Sequence, residues 1–99
     1  MFARLTKAQI KLDRIDEFIK RYEESVVPAT KGQKGFKGIY LLVNRQTGHG
    51  ISFSLWESEE DVLANESNRF YQEQIAKFVN FYASPPIREG YEVLLQEVV

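Results

Sequence analysis

An α+β domain, with strands and helices interleaved along one chain, is what this sequence predicts, and three observations predict it. The hydrophobic period changes from alternating to helical at Leu12. A run of strict alternation, Ile51-Ser52-Phe53-Ser54-Leu55-Trp56, follows a turn-rich stretch. Ser58, set directly after that run, opens a second helical pattern. With 99 residues the chain makes a single domain, 1–99, large enough to bury roughly two-thirds of its unfolded surface without staples.

Phe2 to Ala8 alternate weakly and predict the first strand. Leu12, Ile15, Phe18, Ile19, Tyr22 and Val26 then share one helical face, with Asp13 as N-cap, and Pro28 is expected to stop that helix near Val27. Ala29 to Lys37 is a loop, Gly38 to Asn44 the second strand, and Arg45 to Gly50 a hairpin turn into the third. Ser58 with Asp61 three positions on is a variant of the capping box, and Glu59 and Glu60 favour the same helix start. Asn65-Glu66-Ser67-Asn68 are poor helix formers and predict a kink. The helix should then run to Tyr82 and end at Pro85-Pro86, with Tyr91 to Val98 as the last strand. The order is that of a ferredoxin-like βαββαβ domain with a four-stranded antiparallel sheet.

Two helices cover only one face of such a sheet, yet both faces are apolar. Ile39, Leu41 and Val43 lie on one side of the second strand, Tyr40 and Leu42 on the other. A homodimer packed sheet against sheet is the expectation.

Composition excludes several function classes. Without cysteine there is no disulfide, thiolate nucleophile or thiolate metal site, and the cytoplasm is the expected location. No apolar run reaches the length of a membrane span, and Met1 to Lys7 lacks the apolar core of a signal peptide. Thirteen basic residues against fourteen acidic give a net charge of -1, so nothing pulls the chain toward nucleic acid. Lys34 to Tyr40 is similar to the aromatic motif of RNA-recognition domains, but it enters the second strand, whereas that motif belongs on the third. His49, the one histidine, stands in a turn between glycines and cannot make a metal site alone. No metal and no cofactor is expected.

At Leu55-Trp56-Glu57-Ser58-Glu59-Glu60-Asp61, with Ala3-Arg4-Leu5-Thr6, Val26-Val27-Pro28 and Gly35-Phe36 around it, the chain resembles the antibiotic biosynthesis monooxygenase-like (ABM) family of dimeric α+β barrel proteins. That resemblance implies a dimeric barrel and a choice among activities: cofactor-independent oxygenation of quinols and polyketide aromatics, heme degradation, or none assigned. The heme-degrading branch needs an asparagine on the first strand and a tryptophan and a histidine on the second helix. Matching motifs puts Ala3, Glu66 and Ala76 there, so heme degradation of that type is not expected. Many members carry a histidine near the position of Asn65.

A cofactor-independent oxygenase needs a dry pocket with donors for a developing anion. The candidates are Asn65 and Asn68 as amide donors, Tyr71 and Tyr82 as phenolic donors, and Trp56, Tyr40 and Phe70 as substrate-binding walls. Ordinary packing, or a helix-breaking turn for the asparagines, is the alternative for each. A non-catalytic dimeric barrel that binds a small apolar or aromatic ligand, or serves as an interaction module, is the alternative function.

Overall fold

The computed structural model describes residues Met1–Val99. Four strands, β1 (Phe2–Gln9), β2 (Phe36–Val43), β3 (His49–Trp56) and β4 (Ile87–Glu92), form one antiparallel sheet in the order β2-β3-β1-β4. β1 sits in the middle, which aligns Arg4 with Ser54 on one side and Gly90 on the other, and Thr6 with Ser52 and Arg88.

The first helical region differs from expectation at both ends. Asp13 lies inside a 3₁₀ turn, Leu12–Arg14, and caps nothing; Lys11 holds the capping position without a side-chain bond. The region then runs as α1 (Ile15–Arg21), a π-turn (Tyr22–Val26) and α2 (Val27–Lys31), straight through Pro28. The π-turn resets the hydrogen-bond register, so Pro28 falls in the first turn of α2, where its missing N–H costs nothing.

Ser58 caps α3 (Glu59–Ser67) by accepting the Asp61 N–H at 3.2 Å. Gly35 fits beneath that cap with φ +80°, where a Cβ would run into the Asp61 carboxylate. The expected break comes at Asn68 and Arg69, the latter left-handed at φ 70°. α4 (Phe70–Ala76) then ends well before Pro85-Pro86. Backbone bonds to the end of β1 replace helical ones there: Lys11 N–H to Phe81 O at 2.9 Å and Ala83 N–H to Gln9 O at 2.7 Å.

β4 also starts earlier than expected and is regular only to Glu92; one more backbone bond, Val93 N–H to Met1 O at 3.0 Å, follows before the chain leaves the sheet. Leu94, Leu95 and Val98 are left exposed. Gly90 belongs to this strand, where a Cβ would stand 2.9 Å from the Phe2 ring.

Between sheet and helices Phe18, Tyr22, Phe78 and Phe81 form the aromatic centre of the core, with Phe18 and Phe78 centroids 4.5 Å apart. The opposite face carries Tyr40, Leu42, Phe53, Ile87 and Tyr91, and no element of this chain covers it. No helix is long and apolar enough to cross a membrane.

Candidate functional site

The helix-facing side of the sheet centre is polar where a core would be apolar. Strand alternation points Arg4 and Thr6 of β1 and Ser52 and Ser54 of β3 inward, while Phe53 and Leu55 face out. Short hydroxyl side chains and Gly50 leave space beneath the helices, a cavity of about 60 Å³. Its roof is Tyr22 and Val26 from the π-turn, Phe70, Tyr71 and Gln74 from α4, and Tyr82. π-Turns recur at functional sites, and this one aims Tyr22 into the cavity.

Two hydroxyl couples face the space. Thr6 Oγ1 and Tyr71 OH are 2.7 Å apart, and Ser52 Oγ and Tyr22 OH are 2.5 Å apart. Ser54, by contrast, is occupied: its Oγ accepts from Trp56 Nε1 at 2.9 Å and donates to Arg4 O.

Arg4 is 6% exposed. Its Nη1 donates to Asn65 Oδ1 at 2.9 Å and lies 3.5 Å from Glu66 Oε2. The guanidinium lies over the Tyr71 ring at 4.4 Å and beside Trp56 at 5.2 Å. Arg88 Nε approaches the same Glu66 oxygen at 3.7 Å. Two guanidinium groups thus share one carboxylate, and the cluster carries a net positive charge.

Burial lowers the Arg4 pKa against the pull of Glu66, yet an arginine stays protonated at neutral pH. Burial pushes Tyr22 up to about 12, opposed by its Ser52 bond and the Arg4 charge. Tyr71 is raised by burial and drawn back by Thr6 and Arg4; Tyr82, with no hydrogen bond to offset burial, is raised further. All three phenols are therefore neutral donors at pH 7.

The sequence profile described as antibiotic biosynthesis monooxygenase matches residues 1–77. The chain belongs to the antibiotic biosynthesis monooxygenase family. An uncharacterized protein of Mycobacterium tuberculosis H37Rv is 38% identical to this ABM protein over 65 residues, 66% of this chain and 29% of that relative, so the chain spans well under half its length. Among solved structures, a monooxygenase of Streptomyces coelicolor in complex with nanaomycin D covers 99% of this chain and 91% of its own at TM-score 0.82 and 12% identity. A heme degrader of Mycobacterium tuberculosis with two hemes bound covers 99% of this chain and 100% of its own at TM-score 0.74 and 20% identity. At these identities the structures establish the ferredoxin-like fold of the family, not a shared chemistry.

In this ABM protein Tyr71, Tyr82 and Phe70 meet at the cavity. Four other candidates do not line it. Asn65 is buried at 3% but both ends of its amide are used, Oδ1 by Arg4 and Nδ2 by Gln33 Oε1 at 3.0 Å, so it positions Arg4. Asn68 is exposed and closes the turn between α3 and α4 by accepting the Phe70 N–H. Trp56 is fully buried between Arg4 and Phe36, outside the lining. Tyr40 is 59% exposed against Phe53, because its parity on β2 puts it on the uncovered face.

Arg4, Thr6, Tyr22 and Ser52 were not among the sequence candidates. A signal for them exists in the inverted polarity of the strands: serines and an arginine alternate with apolar residues, and only the apolar partners look like core. His49 is exposed at the start of β3, on the face away from the cavity, so no imidazole reaches the space and the donor set does not fit a heme axial ligand of that type.

Proposed function

We propose that this protein is a cofactor-independent monooxygenase of a small electron-rich phenol or quinol, with this cavity as its site. The observation that carries the reading is the pair of hydroxyl couples, Thr6 with Tyr71 and Ser52 with Tyr22, facing a recess whose other walls are mostly apolar, with Arg4 among them. Each couple spends one O–H on its internal bond and keeps the other for a ligand. A monooxygenase of the same fold holds nanaomycin D, which supports a ligand-binding role for this scaffold.

The chemistry balances without a further reductant. A phenol whose ring C–H becomes C=O takes one atom of O₂ into the new carbonyl, and the other leaves as water with the ring and hydroxyl protons. Negative charge passes from the phenolate to oxygen during that step. Preorganised phenol donors stabilise it more than water would. No carboxylate or imidazole lines the cavity, so the substrate's own acidity, helped by the hydroxyl couples, supplies the phenolate.

Pockets that hold drug-sized ligands measure about 300–1,000 Å³, so even a small substrate enters only if a wall moves. Ile75 and Tyr82 are that wall, because they also border an outer groove with Val79 and Pro85. We infer too that two copies pack through the uncovered apolar sheet face, burying on the order of 1,600 Å².

Oxygen consumption by the metal-stripped protein across a panel of quinols and phenols tests the reading. Turnover that follows protein concentration is expected. A silent panel moves the protein to a non-catalytic ligand binder, a reading that the lack of a base among the lining residues favours.

A further inference from the structure

The surplus positive charge beside the cavity narrows the ligand class. Arg4 is more than nine-tenths buried and lines the space, yet both of its polar contacts go through Nη1. The N–H groups of Nε and Nη2, the adjacent pair that forms a planar fork, bond to no protein atom. Neither nitrogen is sealed away from solvent, so the fork is open to a ligand, and a guanidinium fork matches the two oxygens of a carboxylate. Glu66 cannot fill that role, since it lies on the Nη1 side and is shared with Arg88.

Tyr71 sets the spacing. Its ring lies 4.4 Å from the Arg4 guanidinium carbon while its hydroxyl bonds Thr6 at 2.7 Å, so the cation and the first hydroxyl couple stand about one aromatic ring apart. Thr6 and Ser52 are register partners, which brings the second couple alongside the first. The small space, about 60 Å³, favours one ring over a fused system.

We propose that the cavity selects a single-ring phenolic acid, with its carboxylate on the Arg4 fork and its hydroxyl on the Thr6–Tyr71 and Ser52–Tyr22 couples. This rests on the reading of the cavity as a ligand site and names the class of molecule that enters it. The carboxylate supplies the charge the cluster lacks and orients the ring, so the phenolic edge meets the donors. Neutral analogues of the same shape forfeit the fork.

The test is calorimetric titration at pH 7 with 3-hydroxybenzoate and with 3-hydroxybenzamide, a neutral molecule of nearly the same shape. The acid is expected to bind at least about tenfold tighter, the equivalent of about 1.4 kcal/mol. Glu66→Gln, which removes the competing carboxylate and leaves Arg4, should tighten the acid severalfold and leave the amide unchanged. Arg4→Gln combined with Glu66→Gln should bring the two affinities together. Equal affinities in the wild-type protein, no binding of either compound at millimolar concentration, or an acid preference that survives the loss of Arg4 overturns the proposal. The wild-type comparison needs no variant, so misfolding of a variant does not shield it. Oxygen uptake is read separately. An intact acid preference with a silent electrode leaves this site standing and removes the oxygenase reading, whereas turnover of neutral quinols with equal affinities does the reverse.

Discussion

Removing one oxygen atom from Tyr71 separates the site's chemistry from its architecture. The Tyr71 ring supports the Arg4 and Arg88 guanidinium groups at 4.4 and 5.2 Å, and phenylalanine keeps that face. What Tyr71→Phe deletes is the bond to Thr6 Oγ1 at 2.7 Å. Such a bond contributes about 0.5–1.5 kcal/mol. At about 4–8 °C per kcal/mol for a domain of this size, the melting temperature should fall by about 2–12 °C. A donor aimed at a developing anion is worth far more to turnover, about 100–1,000-fold. Differential scanning calorimetry and an oxygen electrode on the same preparation read the two effects. Full turnover in the variant would remove Tyr71 from the chemistry, and a melting temperature lowered by tens of degrees would show that the hydroxyl holds the fold, refuting the division drawn here.

Alkali should unfold the protein through its buried phenols. Tyr22 is raised to about 12 from an ordinary value near 10, so the neutral form is favoured in the fold. Its contribution, on the order of 3 kcal/mol, is complete below pH 10 and lost as pH rises toward 12. Tyr71 and Tyr82, also raised, act in the same direction. Urea midpoints should therefore hold steady from pH 7 to 9 and drop above 10; a midpoint flat to pH 12 would contradict the burial of these rings. Gly35→Ala should cost about 1–3 kcal/mol, because alanine meets both the left-handed backbone and the Asp61 carboxylate, and a thermal melt within a degree of wild type would refute it. Leu42→Glu, on the uncovered sheet face, should convert a dimer to a monomer in light scattering at micromolar concentration without lowering helix content; an unchanged mass would place the interface elsewhere.

Much of the scaffold was legible along the chain, because it rests on local signals. Ser58 caps its helix through Asp61, three residues away. The helix breaks at Asn68 because that side chain bonds the backbone two residues on, and the β2–β3 hairpin follows from turn residues flanked by alternating strands. The apolar character of both sheet faces was likewise visible in Tyr40 and Leu42 against Ile39 and Leu41. Where local rules failed, a distant partner had overridden them. Pro28 stays helical because a π-turn shifts the register before it, the second helix unwinds near Phe78 to reach the end of β1, and the last strand starts early, at Ile87, to pair with Lys7 of β1.

The site itself belonged to tertiary structure. Asn65 looked like a donor until its amide was seen bridging Arg4 and Gln33. Tyr40 looked like a cavity wall until strand parity was tied to a covered face. Arg4 and Asn65 are separated by 61 positions, Thr6 and Tyr71 by 65, Tyr22 and Ser52 by 30. No periodicity or capping rule reaches across such distances. The sequence by itself determined which residues make strands, helices and caps, since those depend on neighbours within a few positions. Which polar groups meet, and whether they enclose a space, was decided only by cross-strand register and by the packing of helices over one face of the sheet.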